Sequence, residues 1–220
     1  MPQSVSVIIP AHNEALTIAS VIDAAKASLL VSEVVVVSDG STDKTVEIAM
    51  SRGARVIELE HNQGKGKAMR IGSQATRADI LVFLDADLKG LTRTHVDQLV
   101  KPVLNDVCGM NVGLRDRGAI TWVQHHLPLI SGERALKRVI FDRINPRFFH
   151  RFMTEPAINY SCRIQGFVVQ MIEMKGVTIR RKYEKVGFLK AVVQYLRMTY
   201  SITSALILVR VSHLFGMFLM

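Results

Sequence analysis

The chain is poor in cysteine and in aromatic residues, with 2 cysteines, 1 tryptophan and 6% aromatic residues among 220. Cys108 and Cys162 stand far apart without a C-x-x-C partner, which excludes a disulfide framework and a zinc site of spaced thiolates and leaves two buried thiols. No RNP-type aromatic strand, zinc finger or helix-turn-helix pattern is present, so the formal net charge of +9 is not read as nucleic-acid binding. It points to another anionic partner, a membrane surface or a phosphorylated substrate. No basic and apolar leader precedes the first strand at Val5, from which a cytoplasmic location is expected. Internal repeats and low-complexity linkers are absent too, and with 49% hydrophobic and 21% charged residues the chain suits one large folded domain, with room for an appendage.

What is present is an alternation of short apolar strands and amphipathic helices. A strand over 5–9 closed by Pro10 precedes a helix over 14–28, whose Leu16, Ile18, Val21 and Ile22 recur at helical spacing. A strand over 34–37 leads through the turn Ser38-Asp39-Gly40-Ser41 and a cap at Thr42 or Asp43 into a helix ending at Arg52. Strand 55–59, the glycine-containing loop 62–67, a helix through Ala75 and strand 80–84 follow. Such an order predicts a three-layer α/β domain with a mostly parallel sheet. Further on, the spacing predicts a helix over 93–104, a strand over 107–114, an irregular stretch through Pro128 and helical character over 131–141. A helix from Thr154 to Gly166 comes next, then strands 167–174 and 177–181 arranged as a hairpin about Lys175-Gly176.

The apolar run Ile80-Leu81-Val82-Phe83-Leu84 ends abruptly in Asp85-Ala86-Asp87. A strand without polar alternation is covered on both faces, and ligands of open α/β sheets bind beyond the carboxyl ends of the strands. Residues i and i+2 at a strand end point the same way, so Asp85 and Asp87 can address one hard cation and, through it, phosphates. Taken alone, the D-x-D also reads as a turn, Asp39 and Asp43 as turn and cap residues, and Lys65 as a solvated loop charge. Yet each predicted junction on the same edge is polar: His12, Asn13 and Glu14; Asp39; Asn62 to Lys67; Asp85 and Asp87. That convergence favours a phosphate-bearing ligand with a metal. The glycine loop fits neither a Walker A nor a G-x-G-x-x-G frame.

Taken as a set, Pro10-Ala11-His12-Asn13-Glu14, Ser38-Asp39-Gly40-Ser41-Thr42-Asp43, Asn62-Gln63-Gly64-Lys65-Gly66 and Asp85-Ala86-Asp87 resemble the glycosyltransferase family 2 pattern on the GT-A fold. The likeness continues more weakly through Ser131-Gly132-Glu133-Arg134-Ala135-Leu136 and Glu155. It implies an α/β nucleotide-diphospho-sugar transferase fold over 1–186, with a nucleotide-sugar half over 1–90, an acceptor half over 91–186 and an apolar helical segment over 187–220. It also implies transfer of a sugar from a nucleoside-diphosphate donor, with Mg²⁺ or Mn²⁺ held at Asp85 and Asp87. By the same likeness Pro10, Ala11 and Glu14 line the nucleoside pocket, Asp39 accepts from the base, Lys65 lies beside the nucleotide and Ala86 belongs to the donor site. Asp85 addresses ribose or the metal's water shell, and Asp87 ligates the metal.

Departure of a nucleoside diphosphate builds negative charge on the β-phosphate, and Arg115 or Arg117 and Arg134 or Arg138 are candidates for the phosphates of donor or acceptor. Glu155 is the candidate general base, with a helix-dipole partner as its other reading. Ser38 stands where the family commonly has an acid, and Lys89 where polyprenyl-phosphate sugar synthases often have Gln. His125 and His126 are structural residues or acceptor contacts, and Trp122 is read as packing. The basic cluster and apolar tail near the end of the chain make a phosphorylated lipid such as polyprenyl phosphate the expected acceptor, and inversion is the expected outcome. Pro128-Leu129-Ile130-Ser131-Gly132-Glu133 and the D-A-D-L segment also resemble glucosyl-3-phosphoglycerate synthases, retaining enzymes with a soluble phosphorylated acceptor. A non-catalytic nucleotide-sugar-binding scaffold at the membrane is a further alternative.

The tail follows a basic cluster, Arg180-Arg181-Lys182 with Lys185 and Lys190. Phe188, Val192, Tyr195, Leu196 and Tyr200 share one helical face, as a helix lying in a membrane interface requires. Residues 201–220 approach the length of a span, but Arg210 and His213 interrupt it. The alternatives are docking on the chain's own core or on a second subunit as a homodimer.

Overall fold

The computed structural model describes residues 3–115, 131–150 and 153–179, together with 204, 206–214 and 216–219. Arg117, Trp122, His125, His126, the basic cluster from Arg180 to Lys190, the apolar face from Phe188 to Tyr200 and the boundary at 186/187 lie outside the described residues.

The chain runs β1 (Val5–Ala11), α1 (Ile18–Lys26), β2 (Glu33–Asp39), α2 (Thr45–Ser51), β3 (Arg55–Leu59), α3 (Lys65–Gln74), β4 (Ile80–Phe83), β5 (Leu88–Lys89) and α4 (Arg93–Leu104). It continues through β6 (Met110–Arg115), β7 (Arg134–Lys137), α5 (Arg138–Asp142), a 3-10 turn (Pro146–Phe148), α6 (Thr154–Ile164), β8 (Val169–Met174) and β9 (Thr178–Ile179). Seven strands form one sheet in the order β3-β2-β1-β4-β7-β6-β8. Within it β7 alone runs against its neighbours β4 and β6, while β1, β2, β3 and β4 pair in parallel and β8 pairs in parallel with β6.

The uninterrupted apolar strands follow from cover on both faces. Val5, Val7, Ile9, Val34, Val36, Ile80 and Val82 pack with Ile18, Val21 and Ile22 of α1, Ala49 of α2 and Val96, Leu99 and Val103 of α4. On the other face Ile8, Leu81, Phe83, Met110 and Val112 meet Met69 of α3, Phe141 of α5 and Ile158 and Cys162 of α6. This is the expected three-layer α/β arrangement with a mostly parallel sheet.

Two expectations are corrected. Residues 131–141 do not form one helix, because Arg134–Lys137 is a strand and only Arg138–Asp142 is helical. The backbone of this segment completes the ladders between β4 and β6, and the requirement to pair buried N–H and C=O groups outweighs a weak helical preference. Nor do the last two strands form a hairpin: β8 joins β6, whereas β9 pairs with β5. Gly176, at φ +75°, redirects the chain there and brings its carbonyl against Gly90, where an added Cβ would lie 2.5 Å away.

Pro102 sits inside α4 and lacks the N–H that would bond the Gln98 carbonyl. The side-chain amide of Asn111 on β6 donates to Gln98 O at 3.1 Å and to Leu99 O at 3.0 Å, so the sheet supplies what the proline withholds. In the tail, a helix over 206–214 is docked on the core through Val209, with Phe218 beyond it. Tyr160 Oη lies 2.8 Å from His213 Nδ1, and Arg147 donates to Met217 O at 2.9 Å. Among the described residues no helix is long and apolar enough to cross a membrane.

Candidate active site

The parallel strands bring the ends of β1, β2, β3 and β4 to one edge, and the antiparallel β7 adds its amino end to the same edge. A cleft of about 270 Å³ opens there. Its walls are Pro10, Ala11, His12 and Glu14 after β1, Asp39 from β2, Asn62, Gly64 and Lys65 at the β3–α3 junction, and Asp85, Ala86 and Asp87 after β4. Every residue assigned above to the donor or metal site, apart from Arg115, therefore lines one cavity.

Local hydrogen bonds explain how these walls are held. Asp39 accepts from the backbone N–H groups of Gln63 at 2.7 Å and Gly64 at 2.8 Å, clamping the turn that begins α3. Gly64 turns there at φ +91°, a conformation that favours glycine. His12 Nδ1 lies 2.7 Å from the Asp39 carbonyl, which can only accept, so this nitrogen carries the proton. Asn13 accepts from Thr42 N–H at 2.8 Å, and the Glu14 N–H donates to Thr45 Oγ1 at 2.8 Å, joining the first two junctions.

From Lys65 and Asp85 on the cleft wall, a chain of alternating charges runs into the protein. Lys65 Nζ is 2.6 Å from Asp85 and 3.2 Å from Glu155, the second residue of α6. Arg115 Nη1 is 3.6 Å from the other Asp85 oxygen, and Arg115 Nε is 3.3 Å from Glu133. Burial works against both ions of the Lys65–Asp85 pair, but each stabilises the other. The Asp85 carboxyl is held below its ordinary range by Lys65 and Arg115, and the Lys65 ammonium above its own by Asp85 and Glu155. Arg115 is likewise raised against its burial by Glu133 and Asp85. Glu133 is fully buried, and that burial, with Asp85 nearby, pushes its carboxyl upward against the pull of Arg115.

Close approach makes this arrangement possible. A Cβ on Gly132 would stand 2.7 Å from both Asp85 Oδ1 and Lys65 Nζ, so the backbone at 132 lies directly over the pair. A Cβ on Gly66 would strike Thr154 Oγ1 and stand 2.8 Å from the Phe149 carbonyl carbon, so a glycine there lets the start of α6 bring Glu155 to Lys65.

The alternative phosphate candidates Arg134 and Arg138 do not line the cleft. Arg134 is fully buried behind the cleft wall, donating to Asn159 Oδ1 at 3.0 Å and to the Ser131 carbonyl, and burial lowers its pKa. Arg138 follows β7 and so sits at the opposite sheet edge, bonded to the carbonyls of Ala78, Ser73 and Thr76 at 2.5, 3.1 and 3.0 Å. Sequence reasoning assigned no role to Gly132 or Glu133. The available signal was a charged residue beside a glycine within an otherwise apolar stretch, but only β7's direction shows that it meets the D-x-D.

Asp85 and Asp87 offer hard oxygen donors on the cleft. Among the described residues no group of three His, Cys, Asp or Glu side chains makes a closed metal cage. A cation there would draw its remaining ligands from phosphate and water, which is the habit of Mg²⁺ and suits this donor set.

The glycosyl transferase family 2 pattern matches residues 6–173. A glucosyl-3-phosphoglycerate synthase of Mycobacterium tuberculosis is 40% identical over 111 residues, covering 46% of this chain and 34% of that protein. Dolichyl-phosphate beta-glucosyltransferase of Drosophila melanogaster is 43% identical over 98 residues, covering 37% of this chain and 30% of that protein. The matched segment thus spans about a third of these curated relatives. The crystal structure of glucosyl-3-phosphoglycerate synthase from Mycobacterium tuberculosis in complex with Mn²⁺, uridine-diphosphate and phosphoglyceric acid superposes with a TM-score of 0.77. Identity is 26%, over 93% of this chain and 77% of that one.

Proposed function

Because the chain belongs to glycosyl transferase family 2, with residues 6–173 matched, we propose that it transfers a sugar from a nucleoside-diphosphate donor to a phosphorylated acceptor, with Mg²⁺ or Mn²⁺ held at Asp85 and Asp87. The observation that carries this reading is the single cleft on which Asp39, Lys65, Asp85 and Asp87 meet from successive βα junctions. Pro10, Ala11, Glu14 and Ala86 would border the nucleoside, and Asp39 would accept from its base. A divalent cation bound there would offset the charge that builds on the β-phosphate as the nucleoside diphosphate leaves. Lys65, at the first turn of α3, would add a positive charge and the helix amino terminus on the same side. In the transfer, an acceptor oxygen forms a bond to the anomeric carbon, the bond to the β-phosphate oxygen breaks, and that oxygen keeps the electron pair. A hydroxyl acceptor would pass its proton to Glu155; a phosphate oxygen would need no base. Arg134, behind the wall, would position Ser131 and α6 rather than touch phosphate.

The relatives pair two acceptor classes, a lipid phosphate and phosphoglycerate. A retaining enzyme with a soluble acceptor is favoured by the likeness to glucosyl-3-phosphoglycerate synthase over 93% of the chain; the anomeric configuration of the product, read by NMR, separates it from an inverting lipid-directed one. For the lipid reading, we propose a peripheral place at the inner membrane face. The 206–214 helix exposes Ile207, Leu208, Val211 and Leu214 beside exposed Arg210 and Arg147. Co-sedimentation with anionic but not neutral vesicles would support this, and a dimer by light scattering with no vesicle binding would assign that face to a second subunit.

The test of activity is slow hydrolysis. With Mn²⁺, the wild-type chain should release nucleoside diphosphate from one sugar nucleotide among UDP, GDP, CDP and dTDP sugars, and Asp87→Ala should lower that rate by about 100-fold or more. Donor binding without turnover in the presence of acceptor and membranes would leave a nucleotide-sugar-binding scaffold instead.

A further inference from the structure

We propose that buried Glu133 is a positioning residue that engages Arg115 and so keeps Asp85 available to a divalent cation; this rests on the donor-site reading above. Arg115 stands between two acids, with Nε 3.3 Å from Glu133 and Nη1 at the longer distance of 3.6 Å from Asp85. Its guanidinium stays protonated in any protein environment, so its charge must be balanced by whichever carboxylate lies closest. Glu133 is fully buried, and Arg115 is 5% exposed. The interaction therefore lies in a medium where one added or removed charge is felt strongly by Asp85.

Two features favour a role for Glu133 beyond packing. Its carboxylate keeps one oxygen 2.8 Å from the Ser131 hydroxyl and near Arg115, while its other oxygen has no hydrogen-bond partner among the described residues. A buried acid with an unsatisfied oxygen costs stability that an apolar residue would not. The neighbouring Gly132 backbone, meanwhile, roofs the Asp85–Lys65 pair. Ser131 thus donates to Glu133, the Gly132 backbone lies over the Asp85–Lys65 pair, and Glu133 faces Arg115, so this short segment borders the charges around Asp85. Without the negative charge of Glu133, Arg115 would turn its full charge on Asp85. The site would then favour an anion over a cation.

This gives a change of opposite sign for two ligands, which loss of folding alone cannot produce. Binding of UDP to the full chain is measured by calorimetry in EDTA, and Mn²⁺ binding is measured in the presence of UDP. Glu133→Gln is expected to bind metal-free UDP about threefold more tightly and Mn²⁺ about tenfold more weakly. Glu133→Asp, which keeps the charge, should restore Mn²⁺ binding to within about threefold of wild type. A cooperative thermal unfolding transition is the check that each variant is folded. Parallel weakening of both ligands in Glu133→Gln, or no change in either, would overturn the positioning role while leaving the donor site intact. Absence of Mn²⁺-enhanced binding by wild type to UDP, GDP, CDP and dTDP would overturn the donor-site reading itself, and this proposal with it.

Discussion

At the scale of single residues, the site depends on side chains that are missing as much as on those present. Gly132 leaves room for Lys65 and Asp85 to meet beneath it, and a Cβ there would stand 2.7 Å from both. The atoms it would meet are the far ends of two flexible side chains, so Gly132→Ala should leave the melting temperature nearly unchanged. By displacing them it should lower kcat/KM by about 10- to 100-fold, since small misplacements at a reacting centre are costly. An equal activity in the variant would show that the pair is not used. Cys162 makes a different prediction. Burial, with Cys108 nearby, pushes its thiol up to about 12, so at pH 8 iodoacetamide should label it only after unfolding. The unfolded thiol loses its proton first, so its contribution to stability falls as pH rises from its ordinary value of 9.0 toward about 12. Labelling of the native protein at the rate of a free thiol would contradict this burial.

At the scale of elements, β7 and α4 show how tertiary demand completes local structure. Asn111 reaches from β6 to the Gln98 carbonyl that Pro102 leaves without a partner. Asn111→Leu should therefore lower unfolding free energy by about 1–2 kcal/mol. In a Pro102→Ala background, where a backbone N–H is restored, the loss should be smaller, and strict additivity in chemical denaturation would refute the coupling. The helices of the first half were legible because apolar residues recur at helical spacing in segments such as Ile18–Lys26, and α4 appears over the expected residues. Arg134-Ala135-Leu136-Lys137 was not legible. Four residues carry too little periodicity to distinguish a strand from a helix, and their partners β4 and β6 are distant in sequence. The same holds for β9, whose partner Leu88–Lys89 precedes it by some ninety residues.

At the scale of the whole molecule, the doubly covered sheet makes the loop edge the place where polar groups can gather without disturbing the core. A ligand that binds this folded cleft and not the open chain must stabilise the fold. Saturation with Mn²⁺ and the preferred nucleoside diphosphate, at about 100 times the dissociation constant, should add about 2.7 kcal/mol at 25 °C and raise the melting temperature accordingly. On the proposed reading neither component alone should do as much, because the phosphates would complete the cation's ligands. By itself the sequence determined the alternating α/β order, the apolar strands and the residues at their ends, since these are written in local periodicity and in contiguous motifs such as Asp85-Ala86-Asp87. Only the tertiary structure decided which charges meet. It set Glu133 against Arg115, brought Glu155 to Lys65, buried Arg134 and sent Arg138 to the far edge. Those outcomes depend on the direction of β7 and on close approaches at Gly66 and Gly132, because ion pairing acts through distances in space between residues that the chain order keeps far apart.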